Sequence, residues 1–563
     1  MIRKGLLVLL CTAFLASITS VAHSTYLIPD EIDLSQNIAL QTIVDGNIVS
    51  TEAHSWVYGV MIPNRQTGKG GSNWVCVNFD DPVCQDKDSI YGQIVLPVCS
   101  ATVTLSCVEA LSIGKDASSL KPAKMQFEGV GLKVPASSKA GIPAGGSLSV
   151  WRSEDSGDYI VLAVITYQIP KETGKPFISN FSVNLIPTIY EQNPGYFAPL
   201  IFQELDGDYP NISFGNKDPQ RRSDLETKNC LVVTDGYCFS REEFKPETRA
   251  RISLRVPNDV TGWLFGRMKS PVIDVKAIDG SNNLLTVEAT NATIPNLIGI
   301  YPKSQVRSNP GVLEWAKSFF YEGDGMLEKT LGDRGLFGGH SSGANKLEIF
   351  NWWGDELKAY GGPDKRFGSS TRWMFSSTTM GQYSDQCFAD RTRLTGLVTT
   401  NAPFFESGPP KMVDDVLTYV VAGPHHLGDG KTLFKGVYDL SIRSDAARCI
   451  YGFSEAPLRA EISVTSSDGS IQDIATESMT ERNGWVYLSA YNFHFSSPTV
   501  RVKLLQDSSV SGKVENKSST PKEGVKSTTV SKKSKKLVCV KGSITKKVTG
   551  VNAKCPKGFK KKL

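Results

Sequence analysis

Ile273-Asp274-Val275-Lys276-Ala277-Ile278-Asp279-Gly280-Ser281-Asn282-Asn283-Leu284-Leu285-Thr286-Val287-Glu288-Ala289 is the stretch whose reading decides the fold. Ile273, Val275 and Ala277 alternate with Asp274 and Lys276. Asp279-Gly280 supplies a turn, and Leu285, Val287 and Ala289 resume the alternation. A period of two sends successive side chains to opposite faces, so each arm reads as a half-buried strand and the pair as a hairpin. Upstream, Ile252, Leu254 and Val256 alternate with Arg251, Ser253 and Arg255. The same period holds at Phe181, Val183 and Leu185, at Tyr438, Leu440 and Ile442, and at Val500, Val502 and Leu504. The longest apolar stretch, Tyr159 to Ile169, fits a strand buried on both faces. Asp468-Gly469 and Asn483-Gly484 add turn chemistry, and 50 glycines and 29 prolines favour many turns.

Helix signals are few. Ser308-Asn309-Pro310 followed by Val312, Trp315, Ala316 and Phe319 fits a capped amphipathic helix, and Leu347 to Leu357 reads as a second. No βαβ rhythm appears, which argues against a parallel sheet. The expected fold is mainly β and multi-domain, with β-sandwich-like domains, a small helical insertion and a disulfide-bonded C-terminal hairpin.

Met1-Ile2-Arg3-Lys4, an apolar run from Gly5 to about Ala16, and Val21-Ala22-His23-Ser24 have the form of a secretion signal, expected to occupy 1–24 and to take Cys11 with it. The run is short of the roughly 20 apolar residues that a membrane helix needs, and no later segment reaches that length. The expected divisions are an N-terminal β region at 25–200, a second β domain at 201–301, a helical linking segment at 302–362 and a third β domain at 363–506. A flexible linker at 507–536 and a basic two-cysteine module at 537–563 follow. The location expected is secreted or extracellular, with association to the cell wall.

Ten cysteines remain after the signal. Cys76/Cys84, Cys99/Cys107 and Cys230/Cys238 each enclose seven residues, Cys539/Cys555 bracket the terminal module, and Cys387 is left with Cys449. Neighbour pairing uses every thiol. Tight C-x-x-C pairs are absent and histidines number six, so disulfides fit better than zinc.

Charge divides the chain. Between Ser531 and Leu563 stand twelve lysines and no acid. Setting these aside, with Arg3 and Lys4, from the net charge of +5 leaves −9 for Gly5 to Val530. An acidic body carries a basic tail, suited to anionic envelope polymers or glycans through screened attraction. Export makes nucleic acid an unexpected partner, and no cofactor is called for.

The ending Val538-Cys539-Val540-Lys541-Gly542, Thr545-Lys546-Lys547-Val548-Thr549, Asn552 and Lys554-Cys555-Pro556-Lys557-Gly558-Phe559-Lys560-Lys561-Lys562 resembles a short C-terminal module of secreted actinobacterial proteins. Gly396-Leu397-Val398-Thr399-Thr400-Asn401-Ala402-Pro403 and Arg443-Ser444-Asp445-Ala446-Ala447-Arg448-Cys449-Ile450-Tyr451-Gly452-Phe453-Ser454 resemble a domain of uncharacterised large exported proteins of that group. The resemblance implies a compartment and an architecture, and no activity.

Candidate chemistry is sparse. Gly339-His340-Ser341-Ser342-Gly343 has the G-x-S-x-G form, in which Ser341 would be the nucleophile of an exported hydrolase with His425, His426 or His494 as base. The elbow needs a buried strand before it, whereas Leu331-Gly332-Asp333-Arg334-Gly335 is polar and glycine-rich. His425-His426 reads as a turn-edge pair rather than metal ligands. Asp206, Asp208 and the run Asp80, Asp81, Asp86 and Asp88 have calcium-type oxygens without EF-hand spacing. Trp315, Phe319, Phe320, Tyr321, Phe350, Trp352, Trp353 and Trp373 either fill contacts between domains or offer sugar-binding surfaces centred on Trp352 and Trp353. The function expected is a non-enzymatic structural, adhesive or envelope-binding role, with the hydrolase and the glycan binder as alternatives.

Overall fold

The computed structural model describes residues 38–44, 55–61, 72–129, 133–192, 201–202, 212–213, 230–234, 237–295, 297–302, 336–340, 369–377, 387, 393–405, 408–413, 416–423, 432–451, 458–465, 471–472, 476–495, 499–506, 535–541, 544–550 and 560–561. The chain falls into two compact units, Met1–Asp507 and Ser508–Leu563. The architecture is mainly β and multi-domain, with mixed sheets, short helices and disulfide bonds.

The hairpin forms as the alternation dictates. Strands Gly262–Ala277 and Asn282–Pro295 pair antiparallel, with Ile273 opposite Val287 and Val275 opposite Leu285. At the turn Asp279 Oδ1 accepts from the Ser281 N–H at 2.7 Å. Arg249–Pro257 pairs with the free edge of Asn282–Pro295, and Cys107–Gly114 pairs beyond it. A strand of the N-terminal region therefore lies in one sheet with strands of the second.

A second sheet runs in the order Ser72–Cys76, Trp56–Met61, Ser89–Val95, Gly157–Pro170, Phe177–Gln192, Ser369–Ser377. The apolar run Tyr159–Ile169 lies within Gly157–Pro170, whose residues 157–161 pair with Ser149–Ser153 and 164–170 with Ser89–Val95. Val57, Ile94, Ile165, Phe181 and Val183 of this sheet share a core with Leu111, Ile252, Leu254, Leu285 and Val287 of the first. Each such side chain, fully buried, contributes roughly 1.5–3 kcal/mol.

The two sheets are joined by Gly262–Ala277. Residues 264–267 pair with Ser369–Ser377, and 262–266 run parallel to Leu394–Thr400. Beyond a register shift between Lys269 and Val272 the strand pairs with Asn282–Pro295, which itself reaches Ser369–Ser377 through residues 292–295. The circuit of pairing is closed, and its interior is filled: Trp373 is buried there and donates from Nε1 to the Ala289 carbonyl at 2.9 Å. The shift falls at Ser270-Pro271. Proline has no N–H to lose, and Ser270 takes a left-handed φ of 51°, as bulges permit.

Leu394–Thr400 continues into Lys435–Arg443, Trp485–His494 and Thr476–Arg482. Across from them lies a sheet of Phe404–Phe405, Val416–Ala422, Thr499–Gln506, Leu458–Thr465 and Ile471–Gln472, with Lys411–Val413 at the side. Tyr419, Tyr438, Leu440, Phe493 and Val502 fill the space between. A Cβ on Gly396 would overlap the Trp263 indole, so that strand needs glycine there. Asn483-Gly484 makes the expected turn, with φ of 53° and 75°, the two left-handed positions that a tight hairpin requires.

Helices among the described residues are Pro82–Gln85 and Ser444–Tyr451. The helices expected at 308–319 and 347–357 lie outside the described residues. Within 302–362 the structure has a strand, Leu336–His340, parallel to Ile38–Val44, which pairs antiparallel with Leu297–Pro302. Gly262–Ala277 beside Leu394–Thr400 is a second parallel strand pairing, while the other strand pairings among the described residues are antiparallel. Taken by itself, Ser508–Leu563 holds a three-stranded antiparallel sheet, Ile544–Gly550, Lys535–Lys541, Lys560–Lys561.

Candidate functional site

Three expected cysteine pairs are joined: Cys76–Cys84 and Cys99–Cys107, expected from spacing, and Cys387–Cys449, expected as the pair left over, with Cα separations of 6.1, 5.0 and 5.8 Å. The side chains of Cys230, Cys238, Cys539 and Cys555 lie outside the described residues. In the first loop Asp81 caps the helix Pro82–Gln85, its two oxygens accepting from the Val77 and Val83 N–H groups at 2.8 and 3.0 Å. Asp80 accepts from Ser137 Oγ at 2.9 Å and Asp86 pairs with Lys87. These carboxylates hold the loop itself. Among the described residues no three His, Cys, Asp or Glu side chains converge as a metal-ligand set, and no helix is long and apolar enough to cross a membrane.

Ser341, His425, His426, Asp206, Asp208, Trp352 and Trp353 lie outside the described residues. Leu336–His340 leads straight into Ser341, so a strand does precede the G-x-S-x-G serine, where the sequence suggested a polar loop. His494 is exposed, its Nε2 2.9 Å from Lys435 Nζ. Of the aromatic group, Trp373 is core, filling a contact between sheets.

The resembling segment Arg443–Tyr451 builds a distinct local site. Ser444–Tyr451 is a helix that begins where the strand Lys435–Arg443 ends. Asp445 in its first turn takes two hydrogen bonds of 3.2 Å from Arg443 and lies 2.7 Å from Arg393. Burial would raise the Asp445 carboxyl, but the Arg443 hydrogen bonds and the two cations hold it below the ordinary carboxylate value. Arg448, on the buried side, makes a forked pair with Glu481 at 2.7 and 3.0 Å. A pocket of about 280 Å³ is lined by Arg393, Thr395, Arg443, Asp445 and the Cys387–Cys449 bond.

Beneath the C-terminal sandwich lies a buried polar cluster that the sequence did not reveal. Asp439 accepts from Ser489 Oγ at 2.5 Å, Tyr491 OH at 2.6 Å and the Ser270 N–H at 3.0 Å. Ser270 Oγ is 2.8 Å from Tyr491 OH. Burial pushes the Asp439 carboxyl up to about 6 despite these bonds. The cluster fixes the bulge where Gly262–Ala277 changes partners, which is a structural task. Pro271 inside a strand pattern was the one signal for it.

Elsewhere in the body the described residues include ion pairs between neighbouring strands. Glu288 accepts from Arg249 and Arg251, both at 2.6 Å, and Glu109 pairs with Arg255 at 2.8 Å. The terminal unit differs. Its register pairs Cys539 with Lys546 and Lys561, Val538 with Lys547, and Val540 with Lys560. Adjacent strands are about 4.8 Å apart, so Lys546 and Lys561 stand two strand spacings, about 10 Å, from each other.

No family model, no curated protein and no solved structure matches the chain.

Proposed function

We propose that this chain is an exported, non-enzymatic protein of the cell surface or its surroundings, whose terminal basic sheet attaches an acidic β body to anionic polymers or glycans of the envelope. The observation that carries the reading is the lysine content of the terminal sheet: seven lysines at strand positions of a three-stranded sheet, in a stretch, Ser531 to Leu563, without a single acid. Twelve lysines and no acid between Ser531 and Leu563 give this stretch a positive potential, which favours a multivalent anion. The joined cysteine pairs support an oxidising compartment, in keeping with the signal-like N-terminus and with the resemblance to secreted actinobacterial proteins.

The test is retention. Cells or isolated envelopes are loaded with the intact chain or with one truncated after Gln506, then washed with rising salt. The intact chain is expected to elute at higher salt. Equal elution of both forms would refute the reading.

A further inference from the structure

We propose that Asp439 is a proton-operated latch on the Ser270-Pro271 bulge. With its proton, Asp439 holds the bulge against the strand Trp485–His494; without it, the bulge detaches locally while the sheets on either side stay paired.

At the bulge the backbone is held by side chains instead of by a ladder. The pairing of Gly262–Ala277 with Asn282–Pro295 shifts between Lys269 and Val272. Ser270, in the left-handed region, donates its N–H to Asp439 at 3.0 Å, and its carbonyl accepts from Arg249 Nη2 at 3.4 Å. Its hydroxyl lies 2.8 Å from Tyr491 OH, and the Ile273 carbonyl accepts from Tyr487 OH at 3.0 Å. These ties are polar and half-buried, the mark of a segment that opens before the whole fold does.

Asp439 is 2% exposed, and the described groups that bond to it are neutral: Ser489 Oγ, Tyr491 OH, the Ser270 N–H and, at 3.5 Å, Thr399 Oγ1. A hydroxyl both donates and accepts, so these three can turn to accept the carboxyl proton, and the cluster is satisfied with the acid neutral. With the acid ionised, the closed cluster offers dipoles and no cation. Opening offers water, so the charge favours the open form. Burial accordingly pushes the carboxyl up to about 6.

The neighbouring charged groups are engaged elsewhere. Lys269 pairs with Glu247, Arg249 with Glu288, and Asp274 with Lys276. Arg267 donates to the Thr400 and Ala402 carbonyls, and Arg482 lies over the Tyr487 ring. Tyr438, Tyr487 and Tyr491 are raised by burial, away from neutrality. Thr476–Arg482 sets Ser478 opposite Ser489. His494, beside Lys435, stands further along the strand, and substitution of Asp439 separates the two.

The full chain is exchanged into deuterium oxide at pH 5 and pH 7. Protection, corrected for the chemical exchange rate, is read by mass on peptides spanning 264–275 and 485–492, with 160–168 as reference. The first two are expected to be less protected than the reference at both pH values. Their protection should fall about tenfold from pH 5 to pH 7, as a carboxyl near 6 when closed and 3.8 when open requires. Asp439→Asn should abolish the fall. Ser489→Ala, which keeps the carboxylate and removes one donor to it, should move the fall to higher pH. Bulge peptides as protected as the reference, protection equal at the two pH values, or a fall that survives Asp439→Asn would overturn the proposal. The first two outcomes are decided on the parent chain, whatever the stability of the variants.

Discussion

The body and the terminal sheet treat charge in opposite ways. In Met1–Asp507 several described carboxylates are paired with arginines: Glu288 with Arg249 and Arg251, Glu109 with Arg255, Glu481 with Arg448, Asp158 with Arg152. In Ser508–Leu563 the sheet carries seven lysines, and from Ser531 onward no acid is present to answer them. Charge that is paired internally fixes strand register. Charge left without an internal counterpart is available to another molecule. The contrast is between local ion pairing in the first unit and a lysine-rich stretch without acids from Ser531 onward.

The sharpest way to break the first half of this contrast is Glu288→Leu, which leaves Arg249 and Arg251 facing each other on neighbouring parts of one strand. A loss of about 3 kcal/mol is expected from removing one partner of a mostly buried group, read as a lower urea midpoint. Arg448→Met should cost less, about 1–2 kcal/mol, because Glu481 regains water more easily. No change in either midpoint would mean that the pairs are incidental.

The two buried acids also separate by pH. Burial works against the Glu288 carboxylate, but the arginine hydrogen bonds win and hold its value below the ordinary one. Its contribution is therefore present above the unfolded value and lost as acidification passes the folded one. Asp439 behaves in reverse: with a folded value near 6 against 3.8, its contribution is complete below 3.8 and lost as pH rises through 6. Asp439→Asn should flatten the fall in melting temperature between pH 4 and 7, and an unaltered profile would remove Asp439 as its source. Smaller still, Gly484→Ala should cost about 1 kcal/mol, because its φ of 75° is strained for any side chain.

The sequence disclosed local order well. Ile252, Leu254 and Val256 are buried as their alternation required, and Ile273 and Val275 meet Val287 and Leu285 as the hairpin required. Cysteine spacing anticipated Cys76–Cys84 and Cys99–Cys107, and elimination Cys387–Cys449. Strand partnership across long separations was hidden, because the hydrogen bonds between Cys107–Gly114 and Arg249–Pro257 have no local signature. The Asp439 cluster was hidden for a related reason. Alternation with Tyr438 and Leu440 places Asp439 on the outer face of its strand, yet that face is covered by Ser270, Ser489 and Tyr491. The pocket at Arg393 and Arg443 was equally illegible, since Asp445 joins residues fifty positions apart.

Converting Lys535, Lys541, Lys546 and Lys561 together to glutamine should leave the melting of the body unchanged while weakening attachment, which sharpens the second half of the contrast. The decisive measurement is the affinity of the intact chain for a defined polyanion, long-chain polyphosphate, at several salt concentrations, beside the chain ended after Gln506. The account predicts an affinity for the intact chain that falls steeply with salt and a truncated form with almost none. Two forms with the same affinity and the same salt dependence would contradict it.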